Sequence, residues 1–159
     1  MRIRAMETKD WMLLKQVRLA ALLDTPTAFA VSYQTAAAYS DEQWKERASS
    51  VGTEFWLAFE QNRPVAMVGT TVSSAQRFSL IGMWVEPAAR GSGVATHLVD
   101  AVKSRATDKG FDRVYLEVST DNARASDFYL RQGFVFLEEW EPLDSHPHIT
   151  VQTMLWIKR

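Results

Sequence analysis

The clearest hydrophobic pattern lies between Gly91 and Lys109. Apolar residues recur there at Ala95, Leu98, Val99, Val102 and Ala106, a three- and four-residue spacing that puts one apolar stripe on an α-helix. Gly110 ends that helix. Leu14, Val17 and Ala21 repeat the spacing in a first helix, which Thr8 caps and which runs to about Leu23 before Asp24-Thr25-Pro26 stops it. Ser40-Asp41-Glu42-Gln43 reads as a capping box that opens a short helix through about Ala48. A further helix spans Asn122 to Gln132 and stops at Gly133. The remaining apolar runs are short and bounded by turn residues, so they read as strands. They lie near Arg2–Ala5 and at Phe55–Phe59, Val65–Val72, Leu80–Val85, Arg113–Val118, Phe134–Trp140 and Ile149–Ile157. Gln61-Asn62-Arg63-Pro64 is the turn between the second and third of them. The segment from Thr27 to Tyr39 gives no clear signal.

The order of elements limits the fold. One strand is followed by two helices, three strands, a helix, a strand, a helix and two strands. The strand–helix–strand unit around Leu80–Val118 requires a parallel pair and a right-handed crossover. The rest of the sheet is expected to be antiparallel. The expected architecture is α/β, with a mixed, mostly antiparallel sheet of about six to seven strands and about four helices. It is not doubly wound. With 159 residues and no repeat, low-complexity tract or linker, residues 1–159 read as a single domain.

Composition acts mainly by exclusion. A net charge of −1 offers no broad basic field for nucleic acid or an anionic membrane. There is no cysteine, hence no disulfide, thiolate metal site or cysteine nucleophile. His97, His146 and His148 are too few and too scattered for a metal centre, so no metal is expected. The start of the chain lacks the apolar run of a signal peptide, and no stretch of about 18 apolar residues reads as a membrane span. The default expectation is a cytoplasmic protein.

The chemistry is concentrated in Val85-Glu86-Pro87-Ala88-Ala89-Arg90-Gly91-Ser92-Gly93-Val94-Ala95. A strand ends, a glycine turn follows and a long helix begins. Free amides at such a helix start suit a phosphate, with the helix dipole behind them. Glycine lets the backbone approach the anion, and Arg90 adds a positive charge. A plain strand-to-helix turn would look similar. Thr96 stands where a dinucleotide fingerprint has its third glycine, and no Gly-Lys-Ser/Thr of a Walker loop follows.

Arg90-Gly91-Ser92-Gly93-Val94-Ala95 resembles Arg/Gln-x-x-Gly-x-Gly/Ala, the pyrophosphate loop of the GCN5-related N-acetyltransferases. Met83, Trp84 and Val85 resemble the family's strand that bonds the pantetheine arm through its backbone. Downstream, Leu116-Glu117-Val118 is followed by Asn122, Ala125, Tyr129, Gly133 and Phe134. These residues are similar to the family's second signature, a strand followed by Asn-x-x-Ala and Tyr-x-x-x-Gly-Phe. The resemblance implies acetyl-CoA as cosubstrate, no metal, a primary amine as acceptor and direct transfer through a ternary complex. It implies cofactor contacts from Met83 to Val85, from Arg90 to Ala95 and from Asn122. No nucleic acid and no membrane are expected among the partners, and a homodimer remains open.

The residues also make chemical sense on their own. Acetyl transfer needs a neutral amine, whereas a free alkyl amine has a pKa near ~10, so a base must remove its proton. Expulsion of the thiolate is assisted by an acid, and the phenol of Tyr129 is a candidate. Glu117 alternates with apolar neighbours and points to the opposite face, where a carboxylate must be exposed, paired or functional. Ribosomal-protein alanine acetyltransferases have a similar Leu-Glu-Val, with the glutamate as base and a tyrosine twelve residues on as acid; Glu117 and Tyr129 have that spacing. Glu54 and Glu86 are reserve bases. Tyr129 as a core aromatic and Glu117 as a solvated strand residue stay open beside these roles.

The acceptor is not named by the sequence. In this superfamily the first two helices and the loop before the final strand build its cleft. Asp24, Asp41, Glu42, Glu138, Glu139, Glu141 and Asp144 fall there and would attract a cation. Trp11, Phe29, Tyr33, Tyr39 and Trp44 would wall a pocket or pack helices. Arg18, Ala28-Phe29-Ala30, Trp44 and Glu141-Pro142-Leu143 resemble a bacterial subgroup with poorly defined acceptors. Three readings follow: a small-molecule amine acetyltransferase, a peptide N-terminal acetyltransferase, and a catalytically silent acyl-CoA-binding module. Tyr129 and a candidate base argue against the third.

Overall fold

The computed structural model describes residues 1–159. Its strands are β1 (Arg2–Ala5), β2 (Thr53–Glu60), β3 (Arg63–Val72), β4 (Phe78–Val85), β5 (Arg113–Ser119), β6 (Val135–Leu143) and β7 (His146–Ile157). Its helices are α1 (Trp11–Asp24), α2 (Tyr33–Ala37), α3 (Asp41–Ala48), α4 (Val94–Asp108) and α5 (Ala123–Arg131). The strands form one sheet in the order β1-β2-β3-β4-β5-β7-β6. Only β4 and β5 run parallel, joined through α4. The sheet is therefore mixed and mostly antiparallel, as the order of elements requires.

The apolar stripes dock on both faces of the sheet. Leu98, Val99, Val102 and Ala106 of α4 join Tyr129 and Phe134 against Val68, Leu80, Val114 and Leu116. On the other face Leu14, Val17 and Ala21 of α1 and Trp44 of α3 pack on Phe55, Leu57, Met67 and Trp84. Burial alternates along β5: Val114, Leu116 and Val118 are buried, while Arg113 and Glu117 are exposed. That alternation fixes the face on which Glu117 stands.

Several boundaries differ from the sequence reading, each for a local reason. Thr8 is not the cap of α1. A single 3-10 turn, Thr8–Asp10, precedes the helix, and Glu7 and Asp10 close a reciprocal capping box around it. The unassigned segment holds α2, capped by Ser32, whose Oγ accepts from the Thr35 amide at 3.1 Å. The β2–β3 turn is only Gln61-Asn62, with Gln61 at φ 58°, and Pro64 lies inside β3 next to a register shift at Ala58/Phe59. α4 begins at Val94 rather than Gly91, because Gly93 sits outside it at φ 87°. β7 begins at His146 rather than Ile149, so His146 and His148 belong to the strand.

Candidate active site

Two features of β4 open the cleft. The register with β3 slips between Met67↔Trp84 and Gly69↔Ile81, so β4 carries one extra residue there. Gly82, at φ 59°, occupies the bulge. Ile81 and Trp84 consequently pack toward α1, whereas Met83 and Val85 pack toward α4. On its other edge β4 pairs with β5 only at Ser79↔Tyr115. The strands part beyond that point, leaving backbone groups of β4 free to face a ligand.

A cavity of about 560 Å³ lies where the strands part. Met83, Glu117, Asn122 and Tyr129 all line it. Its other walls come from Arg18, from Thr27–Ala30 and from Glu141–Asp144. The Ser145 hydroxyl donates to the Phe29 carbonyl, tying the β6–β7 turn to the segment after α1.

The Glu117 carboxyl is pushed up to about 7. Partial burial in the cleft is the main cause; the adjacent Glu141 carboxyl comes next, followed by Asp144 and Glu139. Only part of the solvent is withdrawn, because Glu117 remains open to the cleft. Tyr129 is 7% exposed, and burial alone raises its phenol above the ordinary tyrosine value. Its ring packs edge-on against Phe128 and Phe134. Asn122 caps α5, its side-chain oxygen accepting from the Ala125 amide at 3.1 Å.

The glycine turn lies past the end of β4. Trp84, Val85 and the residues from Arg90 to Ala95 do not line the cavity. Gly91 and Gly93 have φ of 83° and 87°, and a Cβ at either would meet nothing within 4 Å. No amide from Gly91 to Thr96 donates to another group of the chain, and Ser92 Oγ donates backward to the Ala89 carbonyl. This row of free donors at a helix start fits a pyrophosphate.

Arg90 is already engaged. Its Nη2 donates to Asp24 Oδ2 at 2.7 Å and its Nε to the Val85 carbonyl at 2.9 Å. Trp84 Nε1 donates to the same Asp24 oxygen at 3.0 Å. These donors hold the Asp24 carboxyl below the usual range, the Trp84 bond being the largest influence.

The model of the Acetyltransferase (GNAT) family matches residues 18–134. The chain belongs to the GNAT family. N-acetyltransferase 8B of Rattus norvegicus is 34% identical over 95 residues, covering 57% of this chain and 43% of the rat protein. The chain thus spans less than half the length of such curated relatives. A GNAT-family acetyltransferase from Streptococcus pneumoniae superposes with a TM-score of 0.83 at 21% identity, covering 99% of both chains. A Bacillus anthracis str. Ames protein described as a streptothricin acetyltransferase, solved in complex with acetyl coenzyme A, reaches 0.64 at 17% identity over 72% of this chain and 67% of its own.

Within this GNAT fold, the carboxylates proposed for the acceptor cleft divide. Glu141 and Asp144 line the cavity beside Glu117. Glu139 is held by Arg77 in a bidentate pair at 2.7 and 3.2 Å, and Asp24 by Arg90. Asp41 and Glu42 are exposed on α3. The reserve bases are occupied elsewhere: Glu54 pairs with Arg105 and Lys109, and Glu86 with Arg63. His97 is exposed on α4. Of the aromatic residues, Phe29 lines the cavity, while Trp44 is fully buried with Tyr39 edge-on against it. Sequence reading missed the bulge at Gly82, although a glycine inside a strand pattern is its ordinary signal. No histidine, aspartate or glutamate cluster is arranged to hold a metal ion, and no helix is long and apolar enough to cross a membrane.

Proposed function

We propose that this GNAT protein is an N-acetyltransferase acting as one domain over residues 1–159. It moves the acetyl group of acetyl-CoA to a primary amine of a small molecule by direct transfer in a ternary complex. The observation that carries this reading is that Glu117 and Tyr129, from β5 and α5, face one cavity where β4 and β5 part. Acetyl-CoA is the cosubstrate bound in the B. anthracis protein of similar fold. Here the free amides from Gly91 to Thr96 would hold its pyrophosphate, and the open edge of β4 from Met83 to Val85 its pantetheine arm.

Glu117 is the general base. Above about pH 7 its carboxylate accepts the proton of the bound ammonium. The neutral amine adds to the thioester carbonyl. As the C–S bond breaks, the surplus proton on the attacking nitrogen passes to the departing sulfur, directly or through water. The CoA thiol and the acetamide are thus released, while Glu117 keeps the first proton until it is lost to solvent. Glu141 and Asp144 add negative charge that draws a cationic amine inward. Tyr129, raised by burial, stays protonated throughout the neutral range. Full transfer of its proton to a thiolate, whose conjugate acid lies near ~8.5, runs uphill. Tyr129 therefore donates a hydrogen bond to the departing sulfur.

The test is thiol release from acetyl-CoA with primary amines and short peptides as acceptors, with mass spectrometry of the products. Acetylated small amines are expected. Product from peptides alone would move the assignment to peptide N-termini. Acetyl-CoA binding with no acetylated product from any acceptor would leave a silent binding module.

A further inference from the structure

One charged group is left over by this mechanism. Arg18 projects from α1 into the wall of the cavity, between the rings of Phe29 and Phe55 at 5.6 and 5.8 Å from its Cζ. Its guanidinium is buried, and no acceptor of the chain meets its Nη1. The β4 bulge makes room for it: a Cβ on Gly82 would lie 2.7 Å from Nη1. Burial is the main influence on it and lowers its pKa; the titratable groups beside it are the phenol of Tyr39 and a second cation, Arg47, and no carboxylate is among them. Arg18 and Arg47 share an adjoining recess, whose single carboxylate, Glu46, is exposed and pairs with neither. The same recess includes Trp44, whose buried indole N–H also lacks a partner.

Leaving a buried arginine donor unpaired is costly, and the cost disappears when an anion arrives. A planar guanidinium fits a carboxylate with two parallel hydrogen bonds. The lining of the cavity thus carries both signs of charge, Glu117, Glu141 and Asp144 from β5, β6 and the turn after it, and Arg18 from α1. We infer that Arg18 is the anion-binding residue of the cavity and that the acceptor carries a carboxylate as well as the amine to be acetylated. This inference rests on the reading of the cavity as an acceptor site. The acceptor class is a small amino carboxylate, with the ammonium toward Glu117 and the carboxylate toward Arg18 and the Gly82 bulge.

The experiment compares amino carboxylates of two to six carbons with their primary amides, using wild type, Arg18→Gln and Arg18→Met. The methionine variant keeps an apolar filling between the two rings, in case the glutamine variant fails to fold. At one chain length or more, the wild type should favour the carboxylate in kcat/KM by roughly tenfold to a hundredfold, the size of a lost charge-assisted contact. The variants should lose that preference through KM, with kcat on the amides largely kept. Thermal melting provides a readout without turnover: amino carboxylates should raise the Tm of the wild type and not of the variants. Acetylation of carboxylates and amides at equal efficiency would overturn the inference and leave the acetyltransferase intact. So would a preference that survives both variants. Tm shifts specific to the wild type, with no acceptor acetylated, would keep the carboxylate site and sink the proposed function.

Discussion

Two regions flank β4, and they are built from different material. The glycine turn, from Gly91 to Thr96 at the start of α4, presents backbone amides, and one short consecutive stretch of chain makes it. The cavity beside the Gly82 bulge presents side chains from α1, the Phe29 segment, β5, α5 and the β6–β7 turn. The difference teaches where each kind of recognition is encoded. A backbone site needs only local conformation, so left-handed glycines and a helix start suffice. A side-chain site needs several remote segments to converge, and each residue then takes its properties from neighbours it meets only in the fold.

The comparison breaks most sharply at Glu117. Glu117→Gln keeps the shape but cannot accept a proton, so kcat at neutral pH should fall roughly 10²–10⁴-fold. In the wild type kcat/KM should rise through about pH 7, and the deficit of the variant should shrink at high pH. A flat wild-type profile between pH 6 and 8, with chemistry rate-limiting, would remove the base role. Stability supplies an independent sign. The folded carboxyl titrates at about 7 against 4.5 ordinarily, so between these values the native state holds more protons than the unfolded state. Its influence therefore weakens the fold as pH rises through that window. Glu117→Gln should melt higher than wild type at pH 8, and the gain should fade toward pH 5.

Gly93→Val tests the backbone region. Its φ of 87° is costly for a β-branched residue, on the order of 1–3 kcal/mol, and the new side chain would enter the open space over the free amides. Calorimetry should show acetyl-CoA affinity lowered by tenfold or more; an unchanged Kd would detach the turn from the cofactor.

A smaller effect is expected at Arg90, because the guanidinium must leave Asp24 to reach a phosphate. Arg90→Ala should cost about 1.5 kcal/mol of acetyl-CoA affinity, the low end for a charged hydrogen bond. Asp24→Asn should act in the opposite direction, freeing Arg90 and tightening binding. If both variants leave Kd unchanged and only lower Tm, Arg90 is a tether between α1 and β4. The mildest change is Tyr129→Phe. It should lower turnover by about tenfold, the value of one hydrogen bond to the departing sulfur, with acetyl-CoA affinity kept. Burial is the only influence on its phenol, so losing the hydroxyl should not lower Tm. Equal turnover in single-turnover measurements would assign Tyr129 to the core alone.

The sequence by itself determined what depends on period and on local conformation. The stripe from Leu98 to Ala106 announced α4, alternation placed Glu117 opposite Val114, Leu116 and Val118, and the glycines between Arg90 and Val94 marked the left-handed turn with free amides that opens α4. It went astray at Thr8 and Pro64, where a reciprocal Glu7–Asp10 cap and a register shift outweighed single-residue preferences. Tertiary structure alone decided the rest. It separated Glu141 and Asp144 from Asp24 and Glu139, because a carboxylate's role depends on whether an arginine from a distant element reaches it. It tied up Arg90 and left Arg18 without a partner, although the two look alike as letters. The physical reason is that desolvation and pairing are properties of the assembled cavity, where charges brought together from α1, β5 and the β6–β7 turn raise or relieve one another's cost of burial.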